Sequence, residues 1–267
     1  MNERSLALVT GGRTANASRV GFGQALWFEW TKFVTLRSNI VVAGVLGAVL
    51  PLFAVIVAGT ESLQPDDTVL GASVLGGAVI AQILAAALGA MLVTGEIRTG
   101  MMRTTLLACP RHLTVLAARS TIAAAVVAVV ILPAALISYG IGLVMLDSDT
   151  YATGDPFPAV IGIALSIASM GMLGVAIGTL VRHSAGAVMT AVAVVLLPWI
   201  IAPMLGGYER WLGGASLNGV MQKLTQSSDA TPETVGSLGA WPSLGVVAVY
   251  TIAAVGLAVW ALRRRDS

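Results

Sequence analysis

The chain has 267 residues, 57% of them hydrophobic and 10% charged, with a formal net charge of +2. Soluble domains carry about 25% charged residues, and a chain of this size has too little interior to hide so much apolar surface from water. A soluble globular protein is therefore excluded and lipid is the remaining solvent, while the single cysteine, Cys109, leaves no internal disulfide and no cysteine-built metal cluster.

Residues 1–21 are expected to form a flexible cytoplasmic N-terminus. The first 38 residues carry Arg4, Arg13, Arg19, Lys32 and Arg37, and the first long apolar stretch begins only after them. That stretch lies too far in, and is too long, for a cleavable signal peptide, so it reads as a retained signal-anchor helix.

Residues 22–38 are expected to form an interfacial elbow helix. In Phe22–Arg37 (FGQALWFEWTKFVTLR), Phe22, Leu26, Trp30, Phe33 and Val34 fall on one side of a helical wheel, and Gln24, Thr31, Lys32 and Thr35 on the other. Phe28, Glu29 and Arg37 break the pattern. An amphipathic helix in the membrane interface, with Trp27 and Trp30 at headgroup depth, fits this composition. A plain extension of the first membrane helix is the alternative.

A bilayer core of about 30 Å needs roughly 20 apolar residues per helix. Six windows free of Asp, Glu, Lys and Arg meet this, near residues 40–57, 69–93, 121–146, 157–181, 185–205 and 244–262. They make residues 39–265 a six-helix transmembrane domain. A barrel would need alternating segments of about ten residues. Stretches such as Thr121–Leu132 (TIAAAVVAVVIL) are instead apolar on every side, and only a helix satisfies its own backbone in lipid.

Charge sets the orientation. With the N-terminus in the cytoplasm, the inner segments hold the five N-terminal cations, then Arg98, Arg103, Arg111 and Arg119, then Arg182, and finally Arg263, Arg264 and Arg265. Only Arg210 and Lys223 remain outside, among the acidic residues Glu61, Asp66, Asp67, Asp147, Asp149, Asp155, Glu209, Asp229 and Glu233. Positive-inside bias therefore predicts a multi-pass protein of the plasma membrane with both termini in the cytoplasm.

Two connections are long. Thr94–Arg111 (TGEIRTGMMRTTLLACPR), read as a helix, repeats Glu96, Gly100, Arg103, Leu107 and Arg111 at spacings of three to four, and Pro110 ends it. Met101, Met102, Leu106 and Leu107 give it an apolar side, which a solvated basic loop would not need. The segment is built to dock on a protein, or it lies on anionic lipid. The outside loop Gly206–Pro242 is expected to hold short helices on the outer surface, through Trp211, Leu212, Leu217, Val220, Met221 and Leu224.

Several chemistries are missing. Charged residues sit outside all six windows, whereas gradient-driven carriers place them within the membrane. His112 and His183 fall at the cytoplasmic edge without an evident buried Ser or Asp partner. The only lysines are Lys32 and Lys223 and neither follows a glycine, so the chain has no phosphate loop. Energy for active transport must then come from another polypeptide. Ala85–Gly89 and Gly174–Gly178 are small-xxx-small pairs that permit close helix approach. Pro51, Pro133, Pro198 and Pro203 are expected to kink the first, third and fifth spans.

Two motifs and the six-span layout carry a resemblance. EWTKFVTLRS (Glu29–Ser38) resembles the elbow segment of the permease subunits of ABC-2-type transporters, particularly the small six-helix permeases of actinobacteria. GEIRTGMMRTTLLACPRH (Gly95–His112) is similar to the family pattern after the second helix, with Glu96, Arg98, Gly100, Arg103, Leu107, Pro110 and Arg111 matching in order. Met101 departs from it, standing where the family often has Thr. The two motifs cover about 28 residues, and the layout covers nearly the whole chain.

The resemblance implies an exporter permease with no catalytic residues and no cofactor or metal of its own. ATP and Mg would bind a separate ABC ATP-binding subunit, present in two copies. The permease would pair with a second permease copy, as a homodimer or heterodimer, within membrane lipid; no nucleic acid is implied. Glu96, Arg98, Gly100, Arg103, Leu107, Pro110 and Arg111 would couple to the ATPase, and Trp27, Glu29, Trp30, Lys32 and Arg37 would belong to the elbow. A non-transporting membrane anchor or sensor for a cytoplasmic complex is the competing expectation.

Overall fold

The computed structural model describes residues 21–60, 67–99, 112–146, 151–228 and 230–265. Its elements are α1 (Phe22–Thr35), α2 (Arg37–Thr60), α3 (Val69–Thr99), α4 (His112–Met145), α5 (Pro156–Val181) and α6 (Ser184–Ile201). A 3₁₀ turn (Ala202–Tyr208) follows, then α7 (Glu209–Ala215), α8 (Leu217–Leu224), α9 (Pro232–Val235) and α10 (Ala240–Arg265). Among the described residues no strand forms, and β pairing is confined to one bridge, Thr68 to Ala152. Six helices are long and apolar enough to cross a membrane, as fits a multi-pass membrane protein.

The helices outrun the apolar windows. α3 continues from Val93 to Thr99, and α4 begins at His112 rather than near Thr121. With 31 residues, α3 spans roughly 46 Å, more than the hydrocarbon thickness of about 30 Å. A charge-free window marks only what fits the hydrocarbon. The backbone keeps its helical hydrogen bonds beyond that, so Glu96 continues α3 and Arg119, counted with the connection, lies within α4.

Local signals explain the breaks. The Gly21 N–H donates to the Gln24 side chain at 3.1 Å, which opens α1, and extended Leu36 separates α1 from α2. Arg182 adopts left-handed backbone (φ 58°) and ends α5. His183 then caps α6, its Nδ1 accepting the Gly186 N–H at 3.3 Å. The helical run passes through Pro51 in α2 and Pro133 in α4. The α6 run ends three residues after Pro198, and Pro203 lies in the 3₁₀ turn.

α5 is the central post, buried along most of its length against α3, α4, α6 and α10. Its tightest partner is α3, and the contact is built from small residues. A Cβ on Gly174 would collide with the Ala86 carbonyl, one on Gly89 with the Gly171 carbonyl, and one on Gly178 would meet the Ala90 carbonyl oxygen at 3.0 Å. Gly174 and Gly178 of the α5 pair thus face Ala86 and Ala90, while Gly89 of the α3 pair faces Gly171. The register advances from Ala86–Gly174 to Ala90–Gly178 along both helices together, so α3 and α5 run parallel.

At one end the connecting segments form a cap. The Val69 N–H donates to the Ala152 carbonyl at 2.9 Å, and the Thr68 hydroxyl donates to the Thr225 carbonyl at 2.9 Å. α8 buries Leu217, Val220, Met221 and Leu224, packing on α3, α5 and α10. These residues enter the end of the bundle rather than rest on its surface, whereas Trp211 stays largely exposed.

Candidate functional site

The opposite end of α3 holds the most concentrated polar chemistry in the structure. Three helices bring it together. α1 presents Ala25, Glu29 and Phe33, a stripe with a four-residue repeat, to the bundle. Of the apolar side read from the wheel only Phe33 is buried there; Phe22, Trp30 and Val34 are exposed, as surface facing lipid would be. Glu29, the residue that breaks the apolar pattern, is therefore the one buried.

Glu29 meets Arg119 of α4. Arg119 Nη2 lies 2.7 Å from Glu29 Oε1, and Arg119 Nε lies 3.3 Å from Glu29 Oε2, a two-pronged contact. The same Nη2 lies 2.6 Å from Glu96 Oε2 on α3. Lys32, one turn along α1 from Glu29, donates from Nζ to Glu29 Oε2 at 2.6 Å and to Glu96 Oε1 at 2.5 Å. Each cation bridges both carboxylates, and each carboxylate receives both cations. The result is a closed ring with two positive and two negative members.

Burial makes the closure necessary. Arg119 is 1% exposed, Glu29 2% and Glu96 5%, and only Lys32 reaches partly toward solvent. Removing such charges from water costs several kcal/mol each, and only well-placed partners offset it. Here every carboxylate oxygen has a donor. Burial pushes the Glu29 carboxyl toward a higher pKa, but the Arg119 guanidinium and then Lys32 outweigh it and hold the carboxyl below its ordinary value.

The ring ties α1 to both stems of the connection between α3 and α4. Glu96 sits near the end of α3 and Arg119 in the early turns of α4. Gly100, Arg103, Leu107, Pro110 and Arg111 lie outside the described residues, as do the side chains of Arg98 and His112. Trp27 is 71% exposed, and Trp30 stacks on Phe33 with ring centroids 6.2 Å apart. Arg37 begins α2 and is exposed.

Of the residues expected to matter, the structure joins Glu29, Lys32 and Glu96. Arg119 was missed as a participant because it was counted only as a loop cation. The available signal was Glu29 itself, four residues from Ala25 and from Phe33 on a helix otherwise apolar along that stripe. A second overlooked feature lies within the bundle. Gln82 of α3, Ser166 of α5 and Thr251 of α10 are buried near the middles of their helices, with side-chain polar atoms that have no hydrogen-bond partner among the described residues.

No protein-family model matches the sequence, and comparison with curated proteins finds no matching relative.

Proposed function

We propose that the chain is the membrane-spanning permease subunit of an ATP-driven exporter of the ABC-2 type it resembles. It works as a pair of permease copies with two separate ATP-binding subunits, in a bacterial plasma membrane with both termini in the cytoplasm. The connection between α3 and α4 is the element pushed by the ATPase.

The observation that carries this reading is the ring of Glu29, Lys32, Glu96 and Arg119. A docking loop on a flexible base would absorb force locally. Here the stems of the loop are fixed to each other and to α1 by short, buried, charge-assisted contacts, so α1, α3 and α4 move together at this end. α3 in turn is seated on α5 through close backbone contact. A displacement of the connection would therefore reach the central post of the bundle. The orientation follows the distribution of cations, which puts the ring, Arg182 and Arg263–Arg265 on the cytoplasmic side.

The test is a pull-down of the full chain from mildly solubilised membranes. Recovery of a P-loop ATPase, whose activity rises in the complex, is the expected result. Recovery of a soluble partner without any ATPase would favour the membrane-anchor reading and overturn this one.

A further inference from the structure

At the end of the bundle opposite the ion ring, Lys223 of α8 lies in a cleft of ≈ 390 Å³. Gln226, Ser227, Pro232, Ser237 and Ala240 help to line it. Lys223 Nζ donates to Ser243 Oγ at 2.9 Å, and a Cβ on Gly214 would sit 3.7 Å from the same nitrogen. Among the described residues no carboxylate lies within ion-pair distance of Lys223. Glu209 and Glu233 line the adjoining cleft, which they share with Arg210. The first turn of α10 brings its own positive partial charge, so none of the described residues supplies a counter-charge at this point.

We infer that this cleft binds an oxyanion group, a phosphate or carboxylate, with the Lys223 ammonium as its principal contact and the Ser243 hydroxyl holding that ammonium in place. The geometry is a half-buried cation facing open volume, with one neutral partner and hydroxyl and amide side chains around it. An ammonium held in this way retains its charge at lowest cost when an anion completes its shell. Burial also pushes the Lys223 pKa below its ordinary value, with no carboxylate among the described residues to oppose the shift. The anion can come from a phospholipid headgroup at the membrane surface or from a free ligand. The inference does not rest on the transport reading, since it concerns the other end of the bundle and needs no ATPase.

The chain has only two lysines, which makes the test direct. The purified full chain in a neutral sugar detergent is treated with a water-soluble amine-acetylating reagent. The modification rates of Lys223 and Lys32 are followed by mass spectrometry, with Lys32, bound in the ion ring, as internal control. Inorganic phosphate, acetate, and mixed micelles containing phosphatidylglycerol or phosphatidylcholine are the probes. An anion present at about ten times its dissociation constant should slow the reaction of Lys223 about tenfold and leave Lys32 unchanged.

Protection by phosphate or acetate supports a free-ligand source. Protection by phosphatidylglycerol alone supports a headgroup source. No protection by any probe, or equal protection of Lys32, overturns the inference. Thermal shift provides the second measurement: the anion that protects should raise the unfolding midpoint of the wild type and of Lys223→Arg but not of Lys223→Met, and an equal rise in Lys223→Met overturns the inference too.

Discussion

Arg119 and Glu96 stand 23 positions apart on two different helices, and Arg119 Nη2 rests 2.6 Å from Glu96 Oε2 with both side chains withdrawn from solvent. The same guanidinium holds Glu29 on a third helix. Removing one member strands the others. Arg119→Met should cost about 3–5 kcal/mol of stability, because two buried carboxylates are then left to Lys32 alone. A cycle of Arg119→Met, Glu29→Gln and the double variant should show coupling of about 0.5–3 kcal/mol, read from unfolding in mild detergent. Additive losses would mean that the ring does not act as a unit.

The ring also sets a pH response. The folded-state pKa of Glu29 is held below its unfolded value, so the folded state binds fewer protons in the window between the two. The stabilisation is fully present above the unfolded carboxylate pKa, about 4.3, and is lost as pH falls through the lower folded value. Unfolding midpoints recorded from neutral pH downward should fall in acid for the wild type. The fall should be shallower for Glu29→Gln, and identical slopes would contradict this assignment.

The contact between α3 and α5 tolerates no added atom at Gly174. Gly174→Ala places a methyl group against the Ala86 backbone, where no side chain can rotate aside, and should cost about 1–3 kcal/mol. Gly256 of α10 has open space where its Cβ would be. Gly256→Ala should therefore be neutral or stabilising by about 0.5–1 kcal/mol, the usual gain from replacing glycine inside a helix. Equal effects at the two positions would refute the packing described.

Gln82 places an amide with no partner among the described residues inside an apolar bundle. Gln82→Met, close in volume, should raise the unfolding midpoint, since a buried unpaired polar group costs about 1–3 kcal/mol. A lowered midpoint would mean that the amide is paired in the folded protein.

The transport reading makes its own demand. Arg103→Glu and Arg111→Glu together should abolish co-purification with the ATPase and leave the unfolding midpoint of the isolated chain unchanged. Charge reversal at Glu96 should do both kinds of damage, because Glu96 belongs to the ring. Full retention of the ATPase by the Arg103/Arg111 double variant would remove the connection from the coupling path.

The number of spans and their approximate places were legible in the sequence because lipid imposes a length and an apolar composition that few other solvents demand. The ends were not, since a helix stops where its backbone bonding stops and not where its hydropathy does. The close approach of α3 and α5 at Gly89 and Gly174 was present as two weak local signals, and only the fold could bring the two helices together. Glu29 shows the opposite case. It was visible as a fault in an amphipathic pattern, but its partner lies 90 positions away, and no local periodicity encodes a contact of that separation. The cap around α8 was legible as apolar residues at helical spacing, yet whether they lay on the bundle or within it depended on the space left beneath them.

Two positive and two negative side chains held so close together cancel at a distance. A membrane potential does work only on net charge that moves across it, about 2.3 kcal/mol per elementary charge per 100 mV. Shifted as one body along the membrane normal, Glu29, Lys32, Glu96 and Arg119 would carry no gating charge. The ring would then add no voltage dependence of its own to a stroke at this end of the bundle, and any such dependence would have to come from the arginines outside it.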